Sequence, residues 1–249
     1  MMIFSLAGKE LRSMFSSPMG WIILALLQFI FGTFFLVGID QYFQTMSGAI
    51  RPEQRQGVTE FVGHSVFSTA SFIMLFAVPL LSMRLISEER KNQTLPFLFS
   101  APLSLTDIVL GKFIGLVSFL SILIAIIGIM LSSLNLWSEL DYGYLAANLL
   151  GLWLLVASFS ALGLFVSSLT QHPIVAAIIT FVALFALMIL DYFFASDPNS
   201  VLNTLSLFRH FEPFSRGLLD TRDFAYFMLF ILTFLTLTVR RLDADRLRG

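Results

Sequence analysis

The sequence predicts an all-α integral membrane protein with six transmembrane helices, both termini cytoplasmic and an amphipathic N-terminal helix lying in the membrane interface. Three observations carry this. Charged residues are only 12% of the chain, about half the ~25% of a soluble domain. Apolar residues make up 57% before glycine is counted, against ~45–50% with it. Long uncharged runs cover 13–39, 61–83, 113–138, 142–190 and 224–239. A soluble fold of this size could not hide so much apolar surface, so a soluble enzyme and a disordered protein are excluded. With a net charge of −1 there is no basic excess for nucleic acid.

Residues 2–16 repeat apolar side chains at three- and four-residue spacing: Ile3, Phe4, Ala7, Leu11, Met14 and Phe15. Lys9, Glu10, Arg12 and Ser13 fall on the other side, a pattern suited to the headgroup plane. A frayed start to the first span is the competing reading. Ser16-Ser17-Pro18 separates this helix from that span, which covers about 19–39. The polar stretch 40–63 holds Gly48, Pro52 and Gly57 and is too short for a domain. The second and third spans are predicted at about 64–83 and 112–136. A tight connection, 137–143, places Trp137, Tyr142 and Tyr144 at the interface.

The uncharged run 142–190 cannot be one helix, because ~20–25 residues already span the bilayer core. Thr170-Gln171-His172-Pro173 interrupts it, and proline disfavours helix at the residue before it. Two spans follow, about 144–169 and 174–190. The segment 191–223 carries apolar residues Val201, Leu202, Leu205 and Phe208, then Phe211, Phe214, Leu218 and Leu219. It reads as two short helices dipping against the outer interface, with a plain loop as the alternative. The sixth span covers about 224–241, where Arg240 and Arg241 extend a short uncharged run by snorkelling.

Orientation follows the positive-inside rule. The N-terminus, the 84–112 segment and the tail hold every lysine (Lys9, Lys91, Lys112) and most arginines. Residues 1–249 thus form a single transmembrane domain. Unbroken runs such as Ile122–Ile127 do not alternate, which excludes a β-barrel. The first apolar run exceeds a signal h-region and no A-x-A-like site follows it, so no cleaved signal peptide is expected.

Several chemistries are missing. The chain has no cysteine, so disulfides and thiolate chemistry are out. No span carries Asp, Glu, Lys or Arg at its centre, unlike ion-coupled carriers. Gly111-Lys112 mimics the end of a phosphate loop, but Thr106 replaces the upstream glycine and Phe113 the magnesium-binding Ser or Thr. His64, His172 and His210 have no ligand-type residue three or four positions further on, so no metal site is expected.

The segment 84–111 is unusual for a connector. A charged stretch, Glu88-Glu89-Arg90-Lys91, leads to Thr94, an N-cap residue type. Leu95–Ala101 make about two apolar turns, Pro102 stops them, and Ser104, Thr106 or Asp107 can cap the next span. Leu95, Phe97, Leu98 and Phe99 need a cover. A groove on a soluble partner and the lipid surface are both open on these residues alone.

Glu88-Glu89-Arg90, Thr94-Leu95, Ala101-Pro102-Leu103-Ser104 and Ile108-Val109-Leu110-Gly111-Lys112-Phe113 resemble the permease subunit of ABC-2-type ABC transporters. His210-Phe211-Glu212-Pro213-Phe214-Ser215-Arg216-Gly217-Leu218-Leu219-Asp220 is similar to the motif before the sixth span in gliding-motility and nitrous-oxide-reductase-maturation permeases. The chain departs from the family pattern at Gln93, where Gly is usual, and at Pro96, where Glu is usual.

The resemblance implies a multi-pass permease of the bacterial inner membrane, not itself an enzyme. It implies two such subunits, as a homodimer or with a paralogue, working with two cytosolic ABC ATPases that bind ATP and Mg. This chain would hold no cofactor, and a separate periplasmic accessory protein is compatible with its small outer loops. Glu88, Glu89, Arg90, Thr94, Leu95, Phe97, Leu98 and Pro102 would couple to the ATPase. Lys9, Glu10 and Arg12 of the N-terminal helix would touch it as well. Phe211, Glu212, Pro213, Arg216 and Gly217 would form the outer motif. The work done would be export or mechanotransmission. The rival readings are a stand-alone channel or carrier and a non-transporting anchor relaying force to periplasmic partners.

Overall fold

The computed structural model describes residues 2–47, 57–95, 104–136, 138–194 and 206–248, and all its regular structure is helical. In chain order, α1 is Met2–Ser16, α2 Pro18–Ser47, α3 Val58–Ser82 and α4 Arg84–Lys91. Then come α5 Leu105–Ser132 with a 3₁₀ turn Ser133–Leu136, α6 Tyr142–Leu169, α7 Pro173–Phe194, α8 Leu207–Ser215 and α9 Thr221–Arg248.

Among the described residues, five helices are long and apolar enough to cross a membrane: Pro18–Thr45, Val58–Lys91, Leu105–Leu136, Tyr142–Leu169 and Thr221–Leu247. The expected span at 174–190 matches a shorter apolar stretch, Pro173–Ile189, within α7. The short uncharged run 224–239 lies inside a helix of 28 residues, about 42 Å at 1.5 Å per residue. The first expected span runs on to Ser47, because nothing between Asp40 and Ser47 breaks a helix.

The local signals act as the residue types dictate. Pro18 opens α2, where its missing N–H costs nothing. Ser104 accepts from the Asp107 N–H at 3.1 Å while Asp107 Oδ2 accepts from the Ser104 N–H, a closed capping box. Asp141 caps α6 by accepting from the Tyr144 N–H at 3.0 Å. The turn at Thr170–His172 divides α6 from α7 as Pro173 requires.

Helix α6 is the axle. It packs against α3, α4, α5, α7, α8 and α9 and buries most of its surface. Small residues make this possible. A Cβ on Gly163 would lie 2.7 Å from Ser82 Cβ, and one on Gly151 2.4 Å from Phe214 Cβ. Phe31 of α2 is buried in the core, but Trp21, Phe29, Phe34 and Phe43 point outward; Phe29 is 74% exposed. Apolar faces of this extent suit a bilayer or a second membrane subunit and not water.

α1 lies across the start of α5. Leu6 and Ala7 are buried there, over Gly111 and Gly115. A Cβ on Gly111 would come 2.7 Å from Leu6 Cδ2, and one on Gly115 2.7 Å from Glu10 Cβ, so the crossing depends on both glycines. At the α1–α2 elbow a Cβ on Gly20 would meet the Met14 carbonyl oxygen at 2.2 Å. Trp21 Nε1 donates to the Phe15 carbonyl at 2.8 Å, and Phe15 packs on Phe119. The amphipathic helix is therefore docked on the bundle by one apolar face, with Phe4 left 74% exposed.

Candidate functional site

The lysine-bearing end of the bundle gathers charged residues from four helices around one buried cation. Lys112, in the first turns of α5, is 1% exposed. Its Nζ donates to Glu10 Oε1 of α1 at 2.6 Å and to Glu89 Oε1 of α4 at 2.7 Å. Two carboxylates thus share one ammonium. Glu89 stands in α4, beyond the last residue of the uncharged run of α3. Its second oxygen is buried without a hydrogen-bond partner among the described residues. Next to it, Arg90 of α4 pairs with Asp245 of α9, and Arg241 approaches the same carboxylate at 3.4 Å. α4 is thereby ion-paired to α5 and α9, and Lys112 of α5 links it to Glu10 of α1.

A hydroxyl fixes where α3 passes into α4. Ser167 of α6 accepts from the N–H groups of Ile86 and Ser87, each at 3.1 Å, and donates to the Met83 carbonyl at 3.0 Å. Leu85 and Ile86 are buried against the bundle. α4 then stops in a Schellman arrangement: the Thr94 N–H donates to Glu89 O at 2.9 Å and the Gln93 N–H to Arg90 O at 3.2 Å. That places Gln93 at φ +56°, the left-handed region that favours glycine. The family's usual Gly at this position therefore has a backbone reason. The Thr94 hydroxyl points back and donates to the Glu89 carbonyl at 3.1 Å. Leu95 is 7% exposed. Phe97, Leu98 and Pro102 lie outside the described residues, as does any contact the Thr94 side chain would make as an N-cap further on.

Of the other residues singled out at this end, Glu88, Lys9 and Arg12 are exposed, whereas Glu10 turns inward to Lys112. Lys112 and Asp245 were not anticipated as site residues. The signal for Lys112 was its place between Gly111 and Gly115: two glycines four residues apart invite a crossing helix, and a lysine between them then needs acidic partners. Asp245 sits too far along the chain from Arg90 for spacing to reveal it.

At the opposite end α8 is built by packing. Phe211 and Phe214 are buried, the latter against Gly151 of α6. The helix ends in the same motif, with the Leu218 N–H donating to Pro213 O at 2.9 Å and the Gly217 N–H to Phe214 O at 3.0 Å. Gly217 takes φ +79°, and a Cβ there would lie 3.2 Å from the Tyr144 ring. Glu212 and Arg216 form an exposed pair one turn apart. His210 Nδ1 stands 2.6 Å from Asp223 Oδ1, and its ring stacks on Tyr226 at 3.8 Å between centroids. The first of the two expected helices in 191–223, around 201–205, lies outside the described residues.

Among the described residues no cluster of three His, Asp or Glu side chains could hold a metal. Among the described residues the arrangement is one of ion pairs and hydrogen bonds that tie helices together. No curated protein matches the chain at a significant level. The family described as ABC-2 family transporter protein matches residues 4–244, and the chain belongs to that family of transporter membrane subunits, which pair with ATPase subunits and are not themselves ATPases.

Proposed function

We propose that this chain is the permease half of an ABC-2-type exporter or mechanotransducer of the bacterial inner membrane. In this reading six helices span the bilayer, with α7 as the fifth, and both termini face the cytoplasm. Two copies, or one copy and a paralogue, work with two cytosolic ATPases. The segment 84–111 is the coupling segment, with Phe97 and Leu98 seated in an apolar groove of the ATPase. The likeness of the outer motif, Phe211 to Gly217, favours the gliding-motility and nitrous-oxide-reductase-maturation type, with a periplasmic accessory protein as a further partner.

The observation that carries the reading is the fastening of α4. The helix leading into the coupling segment is ion-paired through Glu89 to Lys112 of α5 and through Arg90 to Asp245 of α9, and Lys112 also holds Glu10 of α1. A push delivered near residues 94–101 would be passed to the second, third and sixth spans and to the interfacial helix together. The uncharged span centres support an energy source outside the chain, since ion-coupled carriers keep ionisable groups there.

The test is co-purification in mild detergent. Phe97→Asp or Leu98→Asp places a charge in an apolar groove and is expected to abolish recovery of the ATPase with the permease. Recovery at the wild-type level contradicts the docking assignment. The isolated chain is expected to hydrolyse no ATP.

A further inference from the structure

A cavity of about 450 Å³ opens at the lysine-bearing end between α1, the start of α2, the end of α3, α4 and the start of α5. Its lining has two characters. Lys9, Arg84 and Glu88 are exposed, and none is in an ion pair among the described residues. Arg84 directs Nη2 to the Met19 thioether at 2.7 Å, a weak acceptor that leaves its charge uncompensated. Ile23, Leu80 and Leu81 form an apolar wall, drawn from the uncharged stretches of α2 and α3. Leu80 is itself exposed, as are Trp21 and Ile22 beside Ile23, so this wall continues into the outward-facing surface of the spans.

We propose that this cavity is a phospholipid site selective for a headgroup carrying both a phosphate and a primary amine. The phosphate lies between Lys9 and Arg84, and the ammonium lies at Glu88. The apolar wall takes the glycerol and the first acyl carbons. Charge balance selects this chemistry. Three cations and three carboxylates line the cavity, and the inner three, Lys112, Glu10 and Glu89, neutralise one another in part. A simple anion would face an unpaired Glu88, and a simple cation would face Lys9 and Arg84. A headgroup with both charges meets both. A quaternary ammonium has no N–H for the carboxylate, so choline is the poorer fit. The boundary between charged and uncharged sequence is also where headgroups sit.

This inference rests on the membrane placement of the chain and not on ATPase coupling, so its failure leaves the coupling reading standing. The experiment is native mass spectrometry of the full-length protein titrated with phosphatidylethanolamine, phosphatidylglycerol and phosphatidylcholine of identical acyl chains. The expected result is retention of phosphatidylethanolamine at about tenfold lower concentration than the other two. Lys9→Gln with Arg84→Gln should weaken it about tenfold. Glu88→Gln should erase the preference over phosphatidylglycerol without weakening phosphatidylglycerol itself. Arg222→Gln, exposed at the opposite end, should change nothing. Equal retention of all three lipids, preference for phosphatidylglycerol, or an Arg222→Gln loss equal to that of the double variant would overturn the proposal.

Discussion

Two short helices, α4 and α8, sit at opposite ends of the bundle and both pack on α6. They stop with the same pair of backbone hydrogen bonds. α8 puts glycine at the left-handed position, and α4 puts Gln93 there. α8 is fastened mainly by rings on glycine, Phe214 against Gly151 and Tyr144 against Gly217, with His210–Asp223 as a polar tie to α9. α4 buries Leu85 and Ile86, is held at its start by the Ser167 hydroxyl, and is tied at its far end by ion pairs. Ring packing is short-ranged and indifferent to salt. Ion pairs cost desolvation and hold only while each charge keeps its partner. Under the proposed function, α8 would act as a fixed cap and α4 as a lever that moves with the charges it is paired to.

Removing the shared cation breaks the comparison hardest. Lys112→Met leaves Glu10 and Glu89 facing each other uncompensated, and a stability loss of about 3–5 kcal/mol is expected, read from thermal melting in detergent. Adding Glu10→Gln and Glu89→Gln to it should restore most of the loss. At the other end Gly151→Ala drives a methyl into Phe214 and should cost about 1–3 kcal/mol, with no dependence on ionic strength.

The two helix ends offer a reciprocal exchange. Gly217→Gln should destabilise by about 1–2 kcal/mol, since a left-handed residue with a side chain must also crowd Tyr144. Gln93→Gly should stabilise by about 1 kcal/mol in the same assay. If Gln93→Gly is neutral while Gly217→Gln is costly, the strain lies in the Tyr144 contact and not in the backbone. Smallest of all, Arg216→Ala removes an exposed pair, with side chains 69% and 58% accessible, and should shift stability by under about 1 kcal/mol.

Much of this architecture is legible in the sequence, because a bilayer imposes a long uncharged run on each span and Pro173, Pro18 and Ser104 act through local chemistry alone. The sites are less legible. The amphipathic repeat in 2–16 reveals a docked or interfacial helix, but not that Glu10 would turn inward, because that depends on Lys112 about a hundred residues away. Gln93 is visible as a departure from a family pattern, yet its reason is a backbone angle set by how α4 stops. Ser167 looks like any other small polar residue in an apolar helix. Only the packing of α6 on the α3–α4 joint gives its hydroxyl three backbone partners. Tertiary ties of this kind leave no periodicity.

In the proposed coupling, α4 travels with α1 as one body when the ATPase acts. The chain has no cysteine, so spin labels can be placed cleanly at Arg12→Cys and Asn92→Cys, both exposed. Pulsed electron–electron resonance on the ATPase-bound complex, with and without ATP, measures the distance between them. One narrow distribution is expected, unchanged by nucleotide and broadened by Lys112→Met. A nucleotide-dependent shift of this distance in the unaltered network would contradict it.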